Sequence, residues 1–369
     1  MRNSQKLFNY LLIACLFTAS WSCRRASEGS AEAAKNIKLS TTATYESAPM
    51  DQPVNEDAAD DPAIWLNPKD STQAYIIGTD KKGGLAVYNL KGEQLYYYPD
   101  GHMNNVDLRS GFVLGSDTIT LVCATNRTKA GLSIYKINPD GSLVNLAARD
   151  LKTEMIGEVY GFAMYKSPST QKLFAYLNSK DGEVEQWELS AAGSMIDARI
   201  VRSFHLQTQV EGMVADDENQ VIFVGEEVDG IWKFDAEPDG KTEGVKLAAS
   251  GGDTNEFIRY DIEGLAIYFL PGGDGYLLAS SQGNYSYAVY ERKAPHKYIG
   301  SFRITDGVVD GVEETDGIDL FSTYLNADFQ HGLFVAQDGY NYDGKKAVAQ
   351  NFKLVAWENV AKLLGLNQN

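Results

Sequence analysis

GGLAVYNLKGEQL (83–95) compresses a strand, a tight turn and a second strand into one short segment. Leu85, Val87 and Tyr88 are residues that favour strands. Asn89 to Gly92 supply turn chemistry before Leu95 resumes an apolar run. The same grammar returns in AGLSIYKINPDGSL (130–143), GEVEQWELSAAGSM (182–195), DGIWKFDAEPDGK (229–241) and YSYAVYERKAPHKYIGSF (285–302). The starts at Gly84, Gly131, Gly182 and Gly230 recur with a period of roughly 50 residues, a length that holds one four-stranded unit.

Working outward, a second landmark keeps the same period: an acid or amide followed closely by an apolar strand. It reads Asp61 before Pro62-Ala63-Ile64-Trp65, Asn105-Val106-Asp107-Leu108, Glu158-Val159-Tyr160-Gly161-Phe162, Glu211-Gly212-Met213-Val214, Glu263-Gly264-Leu265-Ala266-Ile267 and Asp316-Gly317-Ile318-Asp319-Leu320. Six such units predict an all-β, six-bladed β-propeller with four- to five-stranded antiparallel blades around a central channel. The alternative is a pair of sandwiches with accidental spacing. NFKLVAWENV (351–360) is expected to close the ring, with a short helix near 357–365.

Composition fits that fold and narrows the partners. The chain has 369 residues, 33 Lys or Arg against 50 Asp or Glu, and a formal net charge of -17. That balance argues against general nucleic-acid binding, which needs a basic face. The N-terminus reads as a signal peptide of lipoprotein type over 1–22. Arg2 and Lys6 precede the apolar run 11–17, and Ser20 and Ser22 precede Cys23. Lipid on Cys23 would anchor an exported chain to a bacterial cell envelope; without it the chain would be periplasmic or secreted. The apolar run is too short for a confident membrane span. A flexible tether is expected over 23–44 and a single propeller domain over 45–369. A closed ring needs no partner, so a monomer is expected.

The repeat brings chemistry with it. Equivalent positions of a propeller fall on one ring, so Asp61, Asp107, Glu158, Glu211, Glu263 and Asp316 are expected to face one another. Carboxylates at such density need cations, and an all-oxygen ligand set suits Ca²⁺. The alternative is a solvated acidic rim without an ion. The four histidines show no zinc spacing. A third series ends the second strand of each unit: Thr79-Asp80-Lys81-Lys82, Thr125-Asn126-Arg127, Asn178-Ser179-Lys180-Asp181, Gly225-Glu226-Glu227, Ser281-Gln282-Gly283-Asn284 and Gln337-Asp338-Gly339-Tyr340-Asn341. Early units offer cations, later ones carboxylates and amides. Such a face suits a highly anionic ligand held by metal on one side and by Lys and Arg on the other, with phosphate the natural choice. Each cation taken alone could equally be ordinary surface charge. No nucleophile elbow or phosphate-binding P-loop is present, and Cys123 sits in an apolar strand. A metal-activated water attacking phosphorus is what is left.

DAADDPAIW (57–65), NNVDLR (104–109), EVYGF (158–162), EGMVADDE (211–218), DIEGL (261–265), SSQGN (280–284) and TDGID (315–319) resemble the β-propeller phytases of 3-phytase type, from about Glu46 to Leu364. The resemblance implies Ca²⁺-dependent hydrolysis of phytate (myo-inositol hexakisphosphate) or its calcium salt. It implies a calcium-and-water centre at Glu46, Glu211, Glu263 and Asp310, with Tyr160 and Glu227 beside it. Phosphate would be held by Lys81, Arg127 and Tyr160 at the cleavage site, and by Lys82 and Lys180 at a neighbouring site. Asp261 and Gln282 would make further metal or substrate contacts. Structural calcium would use Asp61 with the carbonyls of Pro62 and Val106, and Asp338 with Asn341. Family members often carry an acid between that last pair, where this chain has Tyr340. A neutral-to-alkaline pH optimum is expected, because the carboxylates must be ionised to hold metal. The rivals are another calcium-dependent propeller hydrolase, lactonase-like, and a non-catalytic lipid-anchored module that captures phosphorylated ligands.

Overall fold

A computed structural model describes residues 29–54 and 56–369. The proposed signal peptide and Cys23 lie outside the described residues. Six twisted sheets are arranged as the blades of a propeller. Their innermost strands are Ala59–Leu66, Met103–Leu114, Val159–Lys166, Val210–Asp216, Ile262–Phe269 and Ile318–Phe321. Blades one to four each run outward in chain order, and blade two gains a short extra strand, Leu151–Lys152. No described helix is long and apolar enough to cross a membrane.

The apolar residues that make these strands also lock the blades together. Each hydrophobic cluster draws on two adjacent blades. Leu121 and Cys123 of blade two meet Phe162, Met164 and Trp187 of blade three, and Phe223 and Ile231 of blade four meet Leu265 and Leu277 of blade five. A strand buried on both faces explains runs such as Leu173–Ser179, every residue of which is buried. Cys123 is core, as its strand context predicts. The helix Trp357–Leu364 lies against blades five and six. Trp357 is fully buried and stacks on Tyr268 with ring centroids 4.4 Å apart.

Two sequence expectations change at the N-terminal side. The ring is not closed by 351–360. Asn351–Ala356 is the third strand of blade six, and the N-terminal strand Tyr45–Glu46 completes that blade by pairing antiparallel with Lys353 and Leu354. The flexible tether expected over 23–44 is corrected within its described part. Leu39–Thr41 pairs in parallel with Phe302–Ile304 as the fifth strand of blade five, and Ala34 and Ile37 are buried. Strands of two or three residues carry no apolar pattern, so the sequence holds no signal for them.

Five inner strands share one irregularity that decides where the site falls. Between Ala59 and Pro62, Met103 and Val106, Val159 and Phe162, Val210 and Met213, and Ile262 and Leu265, the ladder shifts by one residue. Each is a β-bulge, which re-aims the side chain inside it. The glycine within three of these bulges has a steric reason. A Cβ on Gly161 would stand 1.9 Å from the Glu211 carbonyl oxygen, and one on Gly212 would stand 2.0 Å from that of Glu263. Only glycine lets the next blade come this close.

Candidate active site

The five bulges, with the residue two before the inner strand of blade six, set a ring of six side chains at one mouth of the channel: Asp60, Asn104, Tyr160, Glu211, Glu263 and Asp316. All lie two residues before the position where the ladder resumes. The expected ring was right for Glu211, Glu263 and Asp316 and is corrected elsewhere. Asp61 turns its carboxylate to the Val106 N–H, 3.0 Å away. Asp107 lies along the channel and binds Arg109. Glu158 stands one step outside the ring.

A second ring surrounds the first. Lys81, Arg127, Lys180, Glu227 and Gln282 each follow the second strand of their blade. Their backbone N–H groups donate to the carbonyls of Ala58, His102, Glu158, Gln209 and Asp261, which precede the inner strands. Gly339 takes this place in blade six, bonded to Glu313. Blades one to three therefore carry cations and blades four and five a carboxylate and an amide, as the sequence series implied. Tyr160, Glu227, Asp261, Glu263, Gln282 and Lys81 line a cavity of about 390 Å³ between the two rings.

Charge in this cavity is poorly balanced. The Lys81 ammonium is buried and meets Asp57 at 2.5 Å, Asp316 at 2.7 Å and Asp60 at 3.6 Å. Burial opposes its charge, but these acids outweigh burial and hold it well above an ordinary lysine. Burial raises Asp60 and Glu263 well above the usual carboxylate range, with Glu211 reinforcing both. Burial and then Glu211 push Glu227 up to about 8. Asp316 rises to about 6 through burial, moderated by Lys81. Tyr160 is raised too, by burial and then by Glu211 and Glu263, so its hydroxyl keeps its proton. Asn104, buried, donates to Glu211 at 2.7 Å and receives Arg127 at 3.4 Å, so it links the acids to the cations. Gln209 donates to Glu227 at 2.7 Å, and Gln282 to Asp316 at 2.7 Å.

The donor set fits a hard cation. Oxygens of Glu211, Glu227 and Glu263 lie within 4.8 Å of one another. Both carboxylate oxygens of Asp60 and Oε2 of Glu263 are buried without a hydrogen-bond donor among the described residues. Buried oxygens without donors are unfavourable unless a cation meets them, and an all-carboxylate set suits Ca²⁺ or a similar ion.

Other expected ligands gather elsewhere. Glu46, Asp310, Asp338 and Asn341 do not join Glu211 and Glu263; they surround Lys353. Its fully buried ammonium contacts Glu46 at 2.5 Å, Asp338 at 3.2 Å, Asn341 at 2.9 Å and Asp310. An ammonium thus already serves part of the role expected of calcium there. Asp338 rises to about 7 because burial outweighs Lys353. Pro62 and Val106 line the channel beside Asp61. Lys82 lies outside the cavity lining, 3.6 Å from Glu56. Arg127 and Lys180 share Glu158, and Lys180 sits 4.6 Å above the Tyr160 ring.

Asp60 and Asn104 are site residues that no sequence pattern singles out. The nearest signal is the duplication Asp60-Asp61, of which the bulge chooses the first; Asn104-Asn105 repeats it in blade two.

An acid-lined pocket rimmed by cations on a six-bladed propeller defines a class of enzyme built to hold anions beside a metal. The chain belongs to the phytase family, whose model matches residues 7–369, and is a phosphoric monoester hydrolase. A 3-phytase of Bacillus subtilis (strain 168) is 45% identical over 317 residues, covering 84% of this chain and 82% of that relative. Among solved structures, BBS1N in complex with ARL6DN aligns with a TM-score of 0.43 at 12% identity, over 78% of this chain and 76% of that one. A likeness that distant carries no argument.

Proposed function

We propose that this chain hydrolyses phytate to lower inositol phosphates and inorganic phosphate, and that it requires Ca²⁺. The observation that carries the reading is the second ring, in which Lys81, Arg127 and Lys180 form one arc and Glu227 with Gln282 the other, around the Glu211–Glu263 pair. Lys81 keeps its charge at any working pH and can hold a phosphoryl oxygen. Arg127 offers a planar fork suited to the same group. Tyr160, protonated, can donate its hydroxyl to a phosphate oxygen. Lys180 and Lys82 would hold an adjacent phosphate, favouring substrates with several phosphates on one ring. Asn104 keeps Glu211 and Arg127 in fixed relation.

Glu211, Glu227 and Glu263, with Asp60, Asp261 and Asp316 around them, would hold the cation. When bound, Ca²⁺ would polarise the phosphoryl group and lower the pKa of water. Asp61 with Pro62 and Val106 would hold a structural ion in the channel wall. Export with lipid on Cys23 belongs to the same proposal, on sequence grounds.

The test is inorganic phosphate release from phytate at neutral-to-alkaline pH, with added Ca²⁺ and then with excess chelator. Release that the chelator abolishes and Ca²⁺ restores is the expected result. No release by folded protein in either condition would leave a binding module.

A further inference from the structure

Each expected phosphate-binding cation already holds a carboxylate of the protein. Lys81 holds Asp57, Asp60 and Asp316, and Lys82 holds Glu56. Arg127 and Lys180 share one acid, Glu158. Nε and Nη2 of Arg127 both lie 2.8 Å from Oε1 of Glu158, and Nζ of Lys180 lies 3.2 Å from its Oε2. The Glu158 carboxylate spans the two cations as a bound phosphate would, with three charge-assisted contacts.

Glu158 differs from two of the three acids on Lys81. The Asp60 and Asp316 side chains are 0% and 14% exposed, whereas the Glu158 side chain is 45% exposed and can swing into solvent, as can Asp57 at 66%. Its backbone is anchored, since the Glu158 carbonyl accepts the Lys180 N–H at 3.1 Å. It is therefore a tethered anion beside the cations, always at high local concentration. It does not belong to the Glu211, Glu227 and Glu263 cluster.

We propose that Glu158 is an internal competitor for phosphate. It occupies Arg127 and Lys180 between turnovers, gives way to substrate phosphates, and returns to help expel inorganic phosphate after cleavage. A polyphosphate that engages several cations at once displaces it readily; a single phosphate ion does so poorly. This rests on the phytate-hydrolase reading for its kinetic meaning, but not for its binding test.

The experiment is calorimetric titration of inorganic phosphate into wild type and Glu158→Gln, at submillimolar calcium, alongside product inhibition of phytate hydrolysis. Removing the carboxylate should tighten phosphate binding and lower the inhibition constant about three- to tenfold, the effect of losing two partly exposed ion pairs. Glu158→Ala should shift both constants the same way, so the result does not depend on one variant folding well. Unchanged or weaker phosphate binding in both variants would overturn the proposal and leave Glu158 as a positioning residue for Arg127. Wild type that binds phosphate but releases none from phytate would defeat the hydrolase reading alone, because the binding comparison would still decide the role of Glu158.

Discussion

At one end of the axial channel, Asp107, Asp217 and Asp319 each accept a backbone N–H from a neighbouring blade. Asp107 takes Met164 at 2.8 Å, Asp217 takes Lys166 at 3.2 Å and Asp319 takes Ile64 at 2.7 Å. At the other end, Asp60 and Glu263 keep buried oxygens without a donor. The inner strands all begin at the second mouth and run towards the first, so one set of strands carries both. The first mouth has a resident cation as well: Arg109 lies 2.9 Å from Asp107 and 3.0 Å from Asp217. Acids there act as pins between blades: each accepts a backbone N–H, and Arg109 sits between two of them. Acids at the site are crowded, under-neutralised and open to a cavity. Buried, crowded acids beside a cavity mark a candidate ligand site.

Activity should separate the two mouths most. Glu211→Gln removes a carboxylate from the site cluster and should lower phosphate release by at least about 10²- to 10³-fold, the scale of losing a group aimed at developing charge. Asp107→Asn, at the other mouth, should leave the rate within a few-fold while lowering the melting temperature. Equal rate losses in the two variants would erase the distinction between the mouths.

Stability should separate them less. Arg109→Leu strands Asp107 and Asp217 without their cation and should lower the unfolding free energy by about 2–3 kcal/mol. Urea midpoints with and without Ca²⁺ would show whether the loss is independent of metal, as a pin requires. A loss that Ca²⁺ repairs would instead make this mouth a second metal site.

The smallest effect is on pH. With metal removed, burial holds Glu227 at about 8 and Asp316 at about 6, above the ordinary carboxylate values of the unfolded chain. The native state then keeps protons that the unfolded state has released. Stability should fall as pH rises from about 4.5 through 8, since the slope follows the unfolded-minus-native proton difference. Adding Ca²⁺ should flatten that fall, because the ion takes the place of the protons. A chelated protein more stable at pH 8 than at pH 5.5 would contradict the crowded-acid picture.

Much of this molecule is local and therefore readable in one dimension. Gly84, Gly131, Gly182 and Gly230 marked the period, and the period gave the blades. Lys81, Arg127, Lys180, Glu227 and Gln282 stood at equivalent places in the sequence and stand so in space. Cys123 was core because its neighbours are apolar. Tertiary structure alone decided three things. A bulge in the ladder chose Asp60 over Asp61 and brought in Asn104, because one inserted residue reverses which side chains face the axis. Ring closure fell to Tyr45–Glu46, a pairing across more than 300 residues that no periodicity announces. Lys353, inside the apolar strand Asn351–Ala356, collected Glu46, Asp310 and Asp338 from distant parts of the chain. Repeats are set by residues near in sequence. Charge balance is set by residues that only the closed ring brings together.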